Sequence, residues 1–403
     1  MKQLSTNLRL YPAYLVLIRL DFWLPVFFLY FSSLFSLQHV LILEAIYYAA
    51  VVTLEVPSGY YSDRIGRKGA LITAATAGGI SGLIFATGST FFSFCIAQFF
   101  YAVFMAFNSG SDTALLYDTL KAEHRENELL DIESNAHAKA WVYGALASIV
   151  AGAAAYFGGY RTVYWLSAFA YTSAAIVALR FKEPPKIGRA AEATMVRQLG
   201  ACRNALRDRT LLWLFLFYVG RTVFEHIPYE FFQPYLALVV PAASLPLISG
   251  LHLAITKLVS AGFAKKSAGF ARRWGTVGTL LFSNVTITAI ILAMALWVHP
   301  IIVILLLARN ITHGLGQIVL NAAIHPRVES GLRATYLSLQ SLVGRLSFSI
   351  ALLSLSWVSG SGTPSNFETL SRLLLISGIA STIWVLGLVA IRPSKIDNSS
   401  IGR

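Results

Sequence analysis

The sequence predicts an all-α integral membrane protein of about twelve transmembrane helices, arranged as two six-helix bundles around a central cavity. Three observations predict it. Hydrophobic residues make up 56% of the 403 and charged residues only 13%, about half the charged share of an ordinary soluble domain, so the chain needs an apolar solvent. Apolar runs of roughly 20 residues, long enough to cross a hydrocarbon core as helices, recur along almost the whole chain and leave no room for a separate soluble domain. Basic residues gather at the ends and in alternate connections, among them Arg64, Arg67 and Lys68, the 182–209 segment, the 265–273 stretch, and Arg327 with Arg333, whereas the opposite connections hold only Arg161 and Arg372. This is the positive-inside pattern, and an even number of crossings then puts both termini in the cytoplasm. The net charge of +13 is therefore a topology signal and no nucleic-acid partner is expected.

The first span covers residues 11–36. Lys2 and Arg9 before it would suit a cleaved signal peptide, but the apolar stretch is too long and lacks a small-residue cleavage pattern. Spans two to six follow at 39–61, 70–88, 91–118, 136–158 and 161–181. The longest polar stretch then intervenes, with Pro184, Pro185 and Gly188 and room for a short amphipathic segment. Spans seven to twelve lie at 210–239, 244–264, 274–298, 300–323, 334–359 and 372–391. The chain thus divides into an N-terminal bundle at 1–181, a cytoplasmic linker at 182–209 and a C-terminal bundle at 210–403, a layout found among secondary transporters whose substrate site lies between repeats near the midplane. Cys95 sits in a helix as a small apolar residue and Cys202 in the linker, where disulfides are rare; neither is given a role.

After the second span the chain reads Gly59-Tyr60-Tyr61-Ser62-Asp63-Arg64-Ile65-Gly66-Arg67-Lys68. A short basic loop would explain the cations but not two glycines and an aspartate at fixed spacing. Gly66 can supply the positive φ of a tight turn, Gly59 can let a neighbouring helix approach, and Asp63 can meet a helix N-terminus or a basic partner. The run matches every defined position of the G-x-x-x-D-R-x-G-R-K motif, and with the overall layout, Glu55-Val56-Pro57-Ser58-Gly59 and Ser109-Gly110-Ser111-Asp112 it resembles the major facilitator superfamily of bacterial type. The resemblance implies the twelve-helix fold, a multi-pass place in the cell inner membrane, and a gating role for Gly59, Asp63, Arg64, Gly66, Arg67 and Lys68. Two departures weaken the assignment of antiport: the fourth span offers Gln98 and Tyr101 but no arginine, and the fifth has Gly144, Gly152, Gly158 and Gly159 but no Gly-Pro pair.

Ionisable groups in hydrocarbon are costly and mark functional candidates. Spans three, six, nine and twelve have essentially none; in the family these are peripheral supports. The others carry Arg19, Asp21, Glu44, Glu55, Asp112, Arg221, Glu225, Glu230, Lys257, Arg309, His313 and Arg345. Gln98, Tyr101, Met105, Asn108 and Asp112 recur at helical steps and are expected on one polar face; Arg221 with Glu225, and Arg309 with His313, are four apart and can each share a face. Proton-coupling candidates are Asp21, Glu55, Asp112, Glu225 and His313. Substrate-binding candidates are Arg19, Arg221, Lys257, Arg309 and Arg345 with Trp23, Tyr101 and Asn108. Plainer readings stand beside these: Arg221 and Glu225 neutralise one another, Glu44 and Glu230 are solvated near the external side, His313 packs, and Glu55 braces the gate.

No P-loop, H-E-x-x-H or G-x-S-x-G run is present, and the eight histidines are scattered, so neither ATP hydrolysis nor another enzyme activity, and no cofactor or metal, is expected. The leading expectation is a proton-coupled transporter working by alternating access and exporting an amphiphilic organic solute, drug-like or siderophore-like and anionic if the cations receive it. Proton symport importing an organic anion or siderophore would use the same parts. A receptor or scaffold that keeps the fold without transporting is the third reading. The expected partners are the small organic solute, protons and the lipid bilayer, and a monomer suffices.

Overall fold

The computed structural model describes residues 5–185, 200, 203–328, 330–360, 366–393 and 396. Cys202 and most of the expected linker, with its amphipathic segment, lie outside them. Every regular element among the described residues is helical. The chain divides into two compact units, one of Met1–Phe35, His39–Ala190 and Ala242–Ala254, the other of Ser36–Gln38, Ala191–Pro241 and Ile255–Arg403.

In the first unit the chain runs through α1 (Ser5–Ile18), α2 (Phe27–Leu34), α3 (Leu37–Ile65), α4 (Arg67–Thr87), α5 (Phe91–Asn108), α6 (Ser111–Ala122), α7 (Leu129–Gly158) and α8 (Tyr160–Leu179). The expected first span is interrupted: Pro25 offers no N–H and disfavours helix at Leu24, and residues 19–26 form turns closed by Phe22 N donating to the Leu20 carbonyl at 2.8 Å and Val26 N to that of Trp23 at 3.1 Å. The fourth span breaks too. Gly110, with φ 73°, takes the left-handed conformation that glycine adopts without a Cβ penalty. The face read through Gln98 to Asp112 is therefore not one helix face, and Asp112 belongs to the first turn of α6. Small residues let α4 and α8 approach closely: a Cβ on Gly82 would lie 2.9 Å from the Ala168 backbone. Thr90 and Ser93 form a reciprocal cap at the start of α5, satisfying donors that a helix N-terminus otherwise leaves open.

The second unit comprises α9 (Arg209–Val239), α10 (Leu245–Leu296) from Ile255 onward, α11 (Pro300–Leu305), α12 (Ile311–Ile324), α13 (Ser330–Ser359) and α14 (Phe367–Ala390). Asp208 caps α9 by accepting from Leu211 N at 2.8 Å. Spans eight and nine form two helical arms of α10 that meet at a kink where Gly275 has φ 71°, and the basic stretch expected as a loop between them is helical. The tenth span breaks after α11, where a 3-10 turn over Leu306–Ala308 leads through Arg309 and Asn310 into α12. Arg309 and His313 thus do not share an uninterrupted helix face.

Among the described residues, eight helical stretches are long and apolar enough to cross a bilayer by length and composition. The remaining expected crossings are the interrupted or charge-bearing segments: α1 with α2, α9, the first arm of α10, and α11 with α12. The crossings at α1 with α2 and at α11 with α12 stop midway, and α9 carries Arg221, Glu225 and Glu230 inside its run. Interrupted helices at membrane depth are tolerated where the freed backbone finds partners inside the protein.

Candidate functional site

In the first unit the break between α1 and α2 presents a carboxylate. Tyr171 of α8 donates its hydroxyl to Asp21 Oδ1 at 2.7 Å and accepts from Trp23 Nε1 at 3.1 Å. Trp23 stands edge-on to Tyr101 at 5.1 Å, and Tyr101 continues to Tyr47 at 5.4 Å and Phe104 at 5.5 Å. Asp21, Trp23 and Tyr101, all expected at the site, are therefore brought together, and Tyr171, buried at 1% exposure, is the residue that joins them. Arg19 lies at the same break but is exposed. Asn108 sits lower on α5, accepting from the Tyr14 hydroxyl at 2.9 Å.

Asp112 lies in a separate polar group. It is buried and accepts from Thr113 N at 2.8 Å, while the Thr113 hydroxyl donates to Glu133 at 2.8 Å and His137 stands 3.9 Å from the same carboxylate. Glu44 departs from expectation: it is 7% exposed, not solvated, and accepts from Gln98 Nε2 at 2.9 Å. The two face each other from neighbouring helices, a contact that depth along one helix does not reveal. Glu55 is half-buried on α3 and has partners of its own.

The motif after the second span is less a loop than a helix end. Residues through Ile65 are helical, Gly66 alone turns with φ 127°, and α4 begins at Arg67. Arg67 donates to Asp63 at 2.6 Å and to Ser62 at 3.0 Å, and its Nε lies 3.4 Å from Asp118. The open N-terminus of α4 is held by Glu183: Arg67 N and Lys68 N donate to its two carboxylate oxygens at 2.7 and 2.9 Å. Asp63 thus binds a cation and leaves the helix cap to an acid 116 residues from Arg67. Gly59 is exposed and no described atom lies within 4 Å of a Cβ built there; Arg64 donates to the Tyr60 hydroxyl. A Glu183→Ala variant is expected to lower stability by about 1 kcal/mol through the lost cap, and Gly66→Ala by more, because a Cβ there would meet the Glu183 carboxyl carbon at 2.5 Å in a strained backbone region. Thermal unfolding in detergent measures both, and an unchanged midpoint for Glu183→Ala would reject the cap.

In the second unit, Arg221 and Glu225 are 4% and 9% exposed and pair at 3.1 Å. Arg221 also donates to Gln317 of α12, which in turn donates to Asn321 at 2.8 Å, and the guanidinium lies 5.4 Å from the Tyr218 ring. Arg309 is fully buried at the α11–α12 break, 4.2 Å from the Phe232 ring centre, with Nη1 donating to the Leu306 carbonyl at 3.2 Å and lying 3.5 Å from Thr256. Glu230, expected near solvent, is fully buried on α9. Lys257 and Arg345 are half-buried on α10 and α13, and neither is without a partner. His313 lies on α12, and its side chain is outside the described residues. Tyr171, Glu183 and Gln317 were missed by sequence reasoning; none stands out by charge inside an apolar span.

Among the described residues no group of three or more His, Cys, Asp or Glu could hold a metal ion. The arrangement can bind and release a proton at a carboxylate and place buried cations beside aromatic rings.

Comparison with known proteins places this geometry in a family. The Major Facilitator Superfamily model matches residues 14–352. Among solved structures, the nucleoside transporter NupG superposes with a TM-score of 0.76 at 16% identity, covering 98% of this chain and 100% of its own. A bacterial homologue of the human lysosomal transporter Spinster, solved inward-facing and unoccupied, gives 0.70 at 15% identity with 96% of each chain covered. A peptide transporter, POT, solved as a point mutant, gives 0.71 at 13% identity, covering 97% of this chain and 94% of its own. These identities carry the fold alone, and no curated protein matches the chain in sequence. Family membership indicates a transporter rather than an enzyme, in a multi-pass membrane protein. The chain belongs to the Major Facilitator Superfamily.

Proposed function

We propose that the protein is a proton-coupled secondary active transporter that exports an amphiphilic organic solute, drug-like or siderophore-like, by alternating access. The observation that carries this reading is Asp21 at the α1–α2 break, a carboxylate within a membrane crossing, held by the Tyr171 hydroxyl at 2.7 Å and walled by Trp23 and Tyr101. An acid at that depth is rare without a task, and proton relay is one such task. Aromatic walls with few polar groups suit an amphiphilic solute better than a small inorganic ion.

Buried Arg221 and Arg309 in the second unit favour a second reading, uptake of an organic anion by proton symport, because a buried cation beside an aromatic ring receives an anionic group at little further desolvation cost. The two readings differ in the direction in which a proton gradient drives solute. In inverted vesicles acidified inside, an exporter by antiport accumulates solute in the lumen and a symporter expels it. Solute for the assay comes from thermal-stabilisation screening of dyes, drugs and siderophores. Accumulation that ignores the pH gradient would overturn proton coupling in both readings. A receptor or scaffold role would gain if Asp63→Asn left every measurable function intact.

A further inference from the structure

The bend of α10 carries three cations that meet no acid among the described residues. Lys266, Arg272 and Arg273 are exposed, and among the described residues none has a carboxylate within ion-pair distance. Half-buried cations of the first unit do meet acids: Arg125 pairs with Glu123 and Glu128 at 3.1 and 2.7 Å, and Arg67 with Asp63 and Asp118. The reason lies in the chain itself, which has no acidic residue between Glu230 and Glu329 but carries Lys257, Lys265, Lys266, Arg272, Arg273, Arg309 and Arg327 there. Compensating negative charge has to come from outside that stretch.

A ladder of rings runs through the same bend. Phe263 and Phe270 are 6.2 Å apart, Phe270 and Trp274 5.1 Å, Trp274 and Phe282 4.9 Å, and Phe270 stacks on Phe282 across the bend at 6.3 Å. Trp274 and Phe282 are 43% and 38% exposed, and beyond them Val285 continues the exposed apolar face at 51%. Buried Ser267 and Ala271 close the side of the helix that flanks the rings. In a membrane protein an exposed apolar face is covered by acyl chains, amphipathic tryptophan sits at headgroup level, and cations at that level lie in reach of headgroup phosphates.

We infer that the α10 bend is a binding site for an anionic phospholipid, with Lys266, Arg272 and Arg273 taking the headgroup phosphate and the Phe270–Trp274–Phe282 ladder taking the upper acyl chains. A zwitterionic lipid offers the same chains but cancels its own phosphate charge. Free phosphate offers the charge but leaves the ladder uncovered. Each cation near a charged leaflet strengthens retention of an anionic lipid by about fivefold.

Full-length protein in detergent, titrated with phosphatidylglycerol, phosphatidylcholine or inorganic phosphate and read by thermal unfolding and by native mass spectrometry, tests this. Expected are a raised midpoint and retained adducts with phosphatidylglycerol only. In Lys266→Gln/Arg272→Gln/Arg273→Gln retention should fall by about a hundredfold, while Arg272→Lys/Arg273→Lys keeps most of it. Equal retention of both lipids, stabilisation by inorganic phosphate alone, or wild-type retention in the triple variant would each overturn the site. Should the triple variant fail to fold, Arg273→Gln and Trp274→Ala are read singly by the same adduct ratio, and two unchanged ratios overturn it equally.

Discussion

In inverted vesicles, the Asp21→Asn variant is expected to lose the pH-gradient-dependent part of solute accumulation while still exchanging labelled for unlabelled solute across the membrane. The size follows from thermodynamics. For one proton moved per solute, each unit of pH difference supplies about 1.4 kcal/mol, a tenfold change in the accumulation ratio, so wild-type accumulation should climb tenfold per unit and the variant's should stay flat. Asparagine keeps the shape of the side chain and an acceptor for the Tyr171 hydroxyl at 2.7 Å, so the ring cluster should hold and solute exchange survive. Tyr171→Phe is the paired control. It removes the donor to Asp21 and the acceptor for Trp23 Nε1 but leaves the carboxyl, and should shift the pH profile of transport without flattening the gradient dependence. Unaltered tenfold steps in Asp21→Asn would take Asp21 out of the coupling role and turn attention to the Asp112–Glu133 group or to Glu44.

Much of the architecture was legible in the sequence because the bilayer imposes a length and a charge rule that single residues obey. The α3, α4, α7, α8, α13 and α14 helices fall where apolar runs and loop charges put them. The breaks were not legible as breaks. Pro25 and Gly110 are visible in the sequence, yet α9 runs unbroken through Pro228 and Pro234, so a proline in a membrane segment does not by itself announce an interruption. Whether the helix stops depends on whether neighbours can satisfy the freed backbone, and that is a property of packing. The same holds at Gly275, where a basic stretch that reads as a loop remains helical on both sides.

The candidate site is legible in the sequence where it is charged and illegible where it is neutral. Asp21, Arg221, Glu225 and Arg309 stood out because ionisable groups are rare in hydrocarbon. Their partners Tyr171, Gln317 and Asn321 are ordinary residues for a membrane helix, although Gln317 and Asn321, four apart on α12, carry a helical-spacing signal that could have been used. Glu183 was hidden in a basic segment, where one acid before a pair of prolines reads as incidental. Its role appears only once the N-terminus of α4 is seen to need an acceptor.

The Arg221–Glu225 pair decides between mutual neutralisation and a working site, and the two single variants with their double separate these. Glu225→Gln leaves the Arg221 guanidinium buried with only a neutral partner beside Gln317, and Arg221→Met leaves a buried carboxylate; each should cost about 3–5 kcal/mol of stability, because an uncompensated charge in a low-dielectric interior is expensive. Arg221→Met/Glu225→Leu removes both charges and should regain most of that loss, since an apolar pair of similar volume is often as stable as the ions it replaces. If the pair only neutralises itself, transport by the double variant should return together with its melting temperature. If Arg221 receives an anionic group of the solute, stability returns and transport does not, with solute affinity falling by about tenfold or more for one lost charge-assisted hydrogen bond. Gln317→Leu sharpens the distinction. It leaves the ion pair at 3.1 Å but frees the guanidinium from its amide anchor, so a purely neutralising pair should transport normally, whereas a solute-binding Arg221 should bind more weakly at near-wild-type stability.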